Sequence, residues 1–169
     1  GIYDIYIWNY NAGYYGVNIH ESDGISYIKI DNDYEEGFYT SGTIVMKLTV
    51  AHEYFHAIQR WYKQTSGDEG YFFELASTWI EDIIVPEGND YLYWVDDLFN
   101  YPEKDFDSFT SQTGYSLALY GHYLNSEVEK VENQLENTIM RDIWEEIGNG
   151  NTALASIKNV LDNKYNLSF

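Results

Sequence analysis

The chain has 169 residues, with nine basic against twenty-eight acidic side chains and a net charge of −19. That balance argues against nucleic acid or an anionic membrane as partner, because both are polyanions that need a basic footprint. Apolar residues at 44% suffice for a core, no apolar run is long enough to span a bilayer, and the lack of cysteine excludes disulfides and thiolate metal sites.

The length fits one domain, residues 1–169, built of two closely packed lobes. Ile2–Trp8, Gly16–His20 and Ile25–Ile30 read as short strands, the last ending in the turn signal Asp31-Asn32-Asp33. Thr40-Ser41-Gly42-Thr43 offers capping hydroxyls for a long helix to about Tyr62, with Leu48, Ala51, Phe55 and Ile58 at helical spacing. A Gly-Asp-Glu-Gly loop at 67–70 leads to a second helix from Phe72 to Val85, stopped by Pro86. A helix is expected over Asp90–Phe99, a polar loop over Tyr101–Gly114, and helices near Tyr115–Leu124, Leu135–Ile147 and Thr152–Lys164. Strands followed by helices make an α+β layout, with residues 1–63 as a sheet lobe carrying the first long helix and 64–169 as a helical lobe. A cleft between lobes suits an extended peptide, often bound along a sheet edge. Trp61, Trp79 and Trp144 lie on helical stretches and read as core.

On the first long helix, His52-Glu53-Tyr54-Phe55-His56 spells H-E-x-x-H and uses two of the four histidines. Positions i and i+4 share a helix face, so both imidazoles can grip one metal ion, with a carboxylate beside them. This pattern points to zinc-dependent hydrolysis of peptide bonds, with Glu53 as general base on the attacking water. A catalytic zinc takes three protein ligands and keeps a fourth position open. The pattern with glycine and histidine three and six residues after His56 is ruled out, since Gln59 and Tyr62 stand there. His20 and His122 are distant in sequence. Glu74 lies eighteen residues after His56 on the next helix, where an antiparallel neighbour returns past the metal. Glu81, two turns further, is its rival. Either could bind zinc while the other holds a ligand imidazole, and Thr78 is a further partner of that outer kind.

The string Thr49-Val50-Ala51-His52-Glu53-Tyr54-Phe55-His56-Ala57-Ile58-Gln59 resembles the active-site helix of a family of secreted bacterial and archaeal metalloproteases. These are zincin-like and of the gluzincin kind, in which glutamate is the third ligand. Phe72-Phe73-Glu74-Leu75-Ala76-Ser77-Thr78-Trp79-Ile80-Glu81-Asp82 is similar to that family's second helix, W-x-x-E-x-x-A-T-W-x-E-D. The register implies Glu74 as ligand. Tyr115-Ser116-Leu117-Ala118-Leu119-Tyr120-Gly121-His122-Tyr123-Leu124 resembles a later tyrosine-led helix, which implies Tyr115 as donor to the oxyanion of the reaction intermediate. His122, on the same helical face at i+7, is the alternative. Leu75 and Ser116 depart from the small residue and the glycine usual in the family.

Motif, helix register and resemblance converge on a zinc peptidase, in the first place an endopeptidase, acting on peptides or proteins. A zincin-fold binding or surface module with structural zinc is the reading from another class, and a fourth protein ligand such as Glu81 or His122 would mark it. Asp31, Asn32, Asp33, Glu35 and Glu36 form an oxygen-rich cluster that invites calcium, although its spacing is not that of an EF-hand and a solvated acidic turn accounts for it. The chain begins with glycine, which reads as a mature form or an excised fragment. Strong acidity without cysteine suggests export.

Overall fold

The alternating apolar and aromatic residues near the start form a mixed three-stranded sheet of β1 (Ile5–Trp8), β2 (Gly16–His20) and β3 (Ser26–Asp31). The computed structural model describes residues 3–10, 14–21, 25–34, 40–110, 112–130 and 132–168. Strand order is β1-β3-β2, with β1 parallel and β2 antiparallel to β3. Both β1 and β2 are therefore edges. The fold is α+β.

Helix α1 (Thr43–Tyr62) packs under the sheet through Val45, Leu48 and Thr49. Its start is not capped by the hydroxyls expected from the sequence. Gly42 precedes it at φ 81 without a side-chain cap, and Thr40 instead donates to Asp90. Ile58 is exposed rather than core, because the buried face turns toward Gln59.

Helix α2 (Gly70–Ile84) starts two residues before the expected Phe72 and buries most of its length. A helix apolar nearly all round can only be central, and α2 packs against α1 on one side and against the turn and helix around residues 114–123 on another. The helix expected over Asp90–Phe99 breaks into a 3-10 turn, Asp90–Tyr93, and a five-residue helix α3 (Asp96–Asn100). Its aromatic and β-branched residues lose rotamer freedom in a helix, and Leu92, Tyr93 and Phe99 remain exposed, so no buried face supports a longer one. The next helix also begins late. Gly114 lies so close to Tyr71 that an added Cβ would stand 2.4 Å from its carbonyl oxygen, and residues 114–117 form a 3-10 turn before α4 (Ala118–Tyr123). A wider π-type turn, Leu124–Glu129, follows.

Helix α5 (Ile139–Gly148) starts four residues after the expected Leu135. The Glu129 carboxylate accepts from Thr138 N, Thr138 Oγ1 and Ile139 N, fixing the start there. Thr152 caps α6 (Ala153–Val160) by accepting from Ala155 N, and a π-type turn continues it to Tyr165.

The helical lobe has one large core from α2, α4, α5 and α6. Trp144 is its hub, with the rings of Phe73 and Phe72 at 5.0 and 5.4 Å. Trp79 is buried with it, but Trp61 is 85% exposed and is not core. Under the sheet lies a separate buried set including Ile28, Ile30, Val45 and Leu48. The middle of α1 runs between the two.

The turn after β3 is organised by Asp31. It is 4% exposed, and its carboxylate accepts from Tyr10 N, Asp33 N and Tyr34 N. The inward carboxylate is thus occupied by backbone, while Asn32 and Asp33 are exposed and Glu35 and Glu36 lie outside the described residues. Among the described residues, no helix is long and apolar enough to cross a membrane.

Candidate metal centre

Two adjacent helices build the site. One turn of α1 separates His52 from His56, and α2 brings Glu74 against both. His52 Nε2 lies 3.1 Å and His56 Nε2 3.5 Å from the same atom, Glu74 Oε2. The ligand atoms of these three residues all lie within 4.8 Å of one another, so the group could hold a metal ion. Among the described residues, no fourth histidine, aspartate or glutamate joins it.

The outward ring nitrogens are also engaged. Glu81 Oε1 is 2.5 Å from His52 Nδ1. Gln59 Oε1 is 2.7 Å from His56 Nδ1, with Ser77 Oγ at 3.2 Å. Gln59 Nε2 donates to the Phe73 carbonyl, which orients its amide with the oxygen toward His56. A carboxylate and an amide oxygen only accept, so each Nδ1 carries a proton. His52 Nε2 likewise donates to the ionised Glu74, and a metal held here would take the place of that proton, with Nδ1–H still fixed from behind.

Electrostatics favour a cation at this point. Burial would lower the His52 pKa, but its bonds to Glu74 and Glu81 outweigh burial and hold the imidazole well above its ordinary value. Burial also opposes ionisation of Glu74, yet the two histidines keep its carboxyl well below the usual range. Burial pushes Glu81 up to about 6 against the pull of His52. Two imidazoles, each fixed at Nδ1, and a carboxylate make a donor set that could hold a metal ion.

Glu53 sits beside the group, 9% exposed, and its Oε2 accepts from Asn18 N at 2.6 Å. The Tyr115 ring stacks on His52 at 5.8 Å between centroids and 17° between planes, with Trp94 behind it at 5.0 Å. Burial, followed by the neighbouring Glu74, pushes the Tyr115 hydroxyl well above its ordinary pKa. Two open chambers, of about 420 and 470 Å³, meet here and share Tyr14, Gly16, His52, Glu53, Glu74 and Tyr115 in their linings.

The structure therefore brings His52, Glu53, His56, Glu74, Glu81 and Tyr115 together. It sets the other sequence candidates elsewhere. His20 faces Gln64 at 3.2 Å near the surface. His122 lies 3.7 Å from Asp82 and against the Tyr91 ring, and it lines neither chamber. Thr78 is buried, but its hydroxyl has no hydrogen-bond partner among the described residues. The partners of His56, Gln59 and Ser77, are not among the residues that the motif singles out. A glutamine one turn after His56 on a core-facing helix position was the available signal. No protein-family model, curated protein or solved structure matches this chain.

Proposed function

We propose that this chain is a zinc-dependent peptidase of the gluzincin kind, with a zincin-like arrangement of sheet, metal helix and helical lobe. The observation that carries the reading is the convergence of His52 Nε2, His56 Nε2 and Glu74 Oε2 beside Glu53 at the meeting of two open chambers. Zinc bound there would supply Lewis acidity toward a carbonyl oxygen and toward water. Glu81 and Gln59 keep both imidazoles in the ligating tautomer. Glu53 is the general base, taking a proton from the attacking water and returning it to the leaving nitrogen. Tyr115, fixed between His52 and Trp94, is the donor to the developing oxyanion. A peptide as substrate is supported by β2, an edge strand whose Gly16, Val17 and Asn18 line the cleft. An exported setting is part of the same reading and rests on the acidic composition. The open space around the group, without a fourth protein ligand among the described residues, favours an enzyme over a module with structural zinc.

The test is elemental analysis of the purified protein with a paired casein assay. About one zinc per chain and cleavage abolished by a chelator are expected, and Glu53→Gln should retain zinc and lose cleavage. Cleavage that survives Glu53→Gln sinks the mechanism, and failure to take up zinc on reconstitution sinks the metal.

A further inference from the structure

The two chambers differ in charge. The one of about 420 Å³ is lined by Glu81 and Asp90 in addition to Glu53 and Glu74, and no lysine or arginine among the described residues lines it. The one of about 470 Å³ contains Arg60. A substrate crossing the metal group therefore meets a negative end and an end bearing a guanidinium.

Within the negative chamber, three of the carboxylates are committed. Glu74 faces both imidazoles, Glu81 holds His52 Nδ1, and Glu53 accepts from Asn18 N. Asp90 differs. It stands in the turn after α2, and Thr40 Oγ1 donates to its Oδ1 at 3.0 Å. Thr40 orients the carboxylate, and Asp90 is half-buried rather than enclosed. The walls beside it include the apolar Val45 and Leu48 and the ring of Trp94. Apolar side chains and an oriented carboxylate lining one chamber match an alkyl stem that ends in a positive charge. The net charge of −19 draws such a group inward from solution.

We propose that this chamber is a substrate subsite for an organic cation, a lysine or arginine side chain or a free α-amine, held by Asp90. The proposal rests on the peptidase reading for its place in catalysis, but it is testable by binding alone. Zinc-loaded Glu53→Gln protein would be titrated with short peptides identical except at one position. One carries lysine with both ends blocked, one carries norleucine with both ends blocked, and one carries norleucine with a free amino end.

A charged peptide is expected to bind about tenfold tighter than blocked norleucine, the scale of one well-formed ion pair. Tighter binding of the lysine peptide identifies a side-chain subsite, and tighter binding of the free-amine peptide identifies a site for the chain end. Asp90→Asn should erase the preference while leaving blocked norleucine unchanged, which also reports an intact cleft. Asp90→Ser is the second variant, since it keeps a hydroxyl for Thr40. Equal binding of all three peptides, a preference that survives both variants, or no binding overturns the proposal. If the preference appears but the unaltered chain cleaves nothing, the subsite stands and the peptidase reading falls. If the chain cleaves but shows no preference, the peptidase reading stands and the subsite falls.

Discussion

Glu81 Oε1 lies 2.5 Å from His52 Nδ1, on the side of the ring away from Glu74. The two glutamates of α2 thus grip one imidazole from opposite ends, one facing the metal position and one setting the tautomer. Glu81→Gln should weaken zinc affinity by about 10- to 100-fold, the usual effect of losing such an outer partner. Glu74→Gln should weaken it more. Both are read by competition with a chromogenic chelator. If Glu81→Gln proves the more damaging change, the ligand assignment must be exchanged between them.

Asp31 should behave as a structural carboxylate. Burial raises its pKa, but the backbone N–H groups of Tyr10, Tyr34 and Asp33 prevail and hold it below the ordinary value. A group with a depressed folded pKa stabilises above its unfolded value, about 3.9 for aspartate, and loses that contribution as pH falls through the folded value. Asp31→Asn is therefore expected to cost about 1–3 kcal/mol at neutral pH, the cost of unmaking buried hydrogen bonds to a charge. Urea denaturation should show the gap between the two proteins narrowing below about pH 4. A constant gap would assign the effect to shape rather than charge.

Gly16 holds β2 against α1. A Cβ there would lie 2.6 Å from Thr49 Cγ2 and 2.9 Å from the Lys29 carbonyl oxygen. Gly16→Ala should cost about 1–3 kcal/mol through overpacking. Because Glu53 Cγ is the next neighbour, at 3.5 Å, the shift would also reach Glu53. Thermal melts and zinc-loaded activity test the two effects separately. An unchanged melting temperature would mean that strand and helix are less tightly apposed than these distances imply.

The tryptophans offer a clean contrast. Trp144 is 2% exposed among aromatic rings, and Trp144→Ala should cost about 3–5 kcal/mol. Trp61, 85% exposed, should tolerate alanine within about 0.5 kcal/mol. Equilibrium unfolding of the two variants distinguishes them, and comparable losses would place Trp61 in an interface.

The sheet, α1, α2 and the order of the helices were legible because their periodicity and turn residues agree. H-E-x-x-H needs only helical spacing to bring His52 and His56 together, and the register of α2 suffices for Glu74. The failures have a common cause. Trp61 has the same composition signal as Trp144, and only the direction of the helix face separates them. The late starts of α4 and α5 depend on Gly114 meeting Tyr71 across 43 residues and on Glu129 reaching Thr138 across 9, contacts that hydrophobic periodicity does not encode. The anchors of His56 required knowing that Gln59 reaches the Phe73 carbonyl. The partner of Glu53 is a backbone N–H, and strand register alone decides which amide faces outward.

That last contact has a consequence for how the cleft opens to its ligand. Asn18 pairs with Ile28 across the ladder, yet its N–H points away from β3 and is taken by Glu53. An extended chain aligning on the outer side of β2 would need that same donor. In the proposed peptidase, arrival of such a chain and release of the Glu53 oxygen from Asn18 would then be one exchange event, so that the strand edge and the carboxylate beside the metal position could not both hold the same amide.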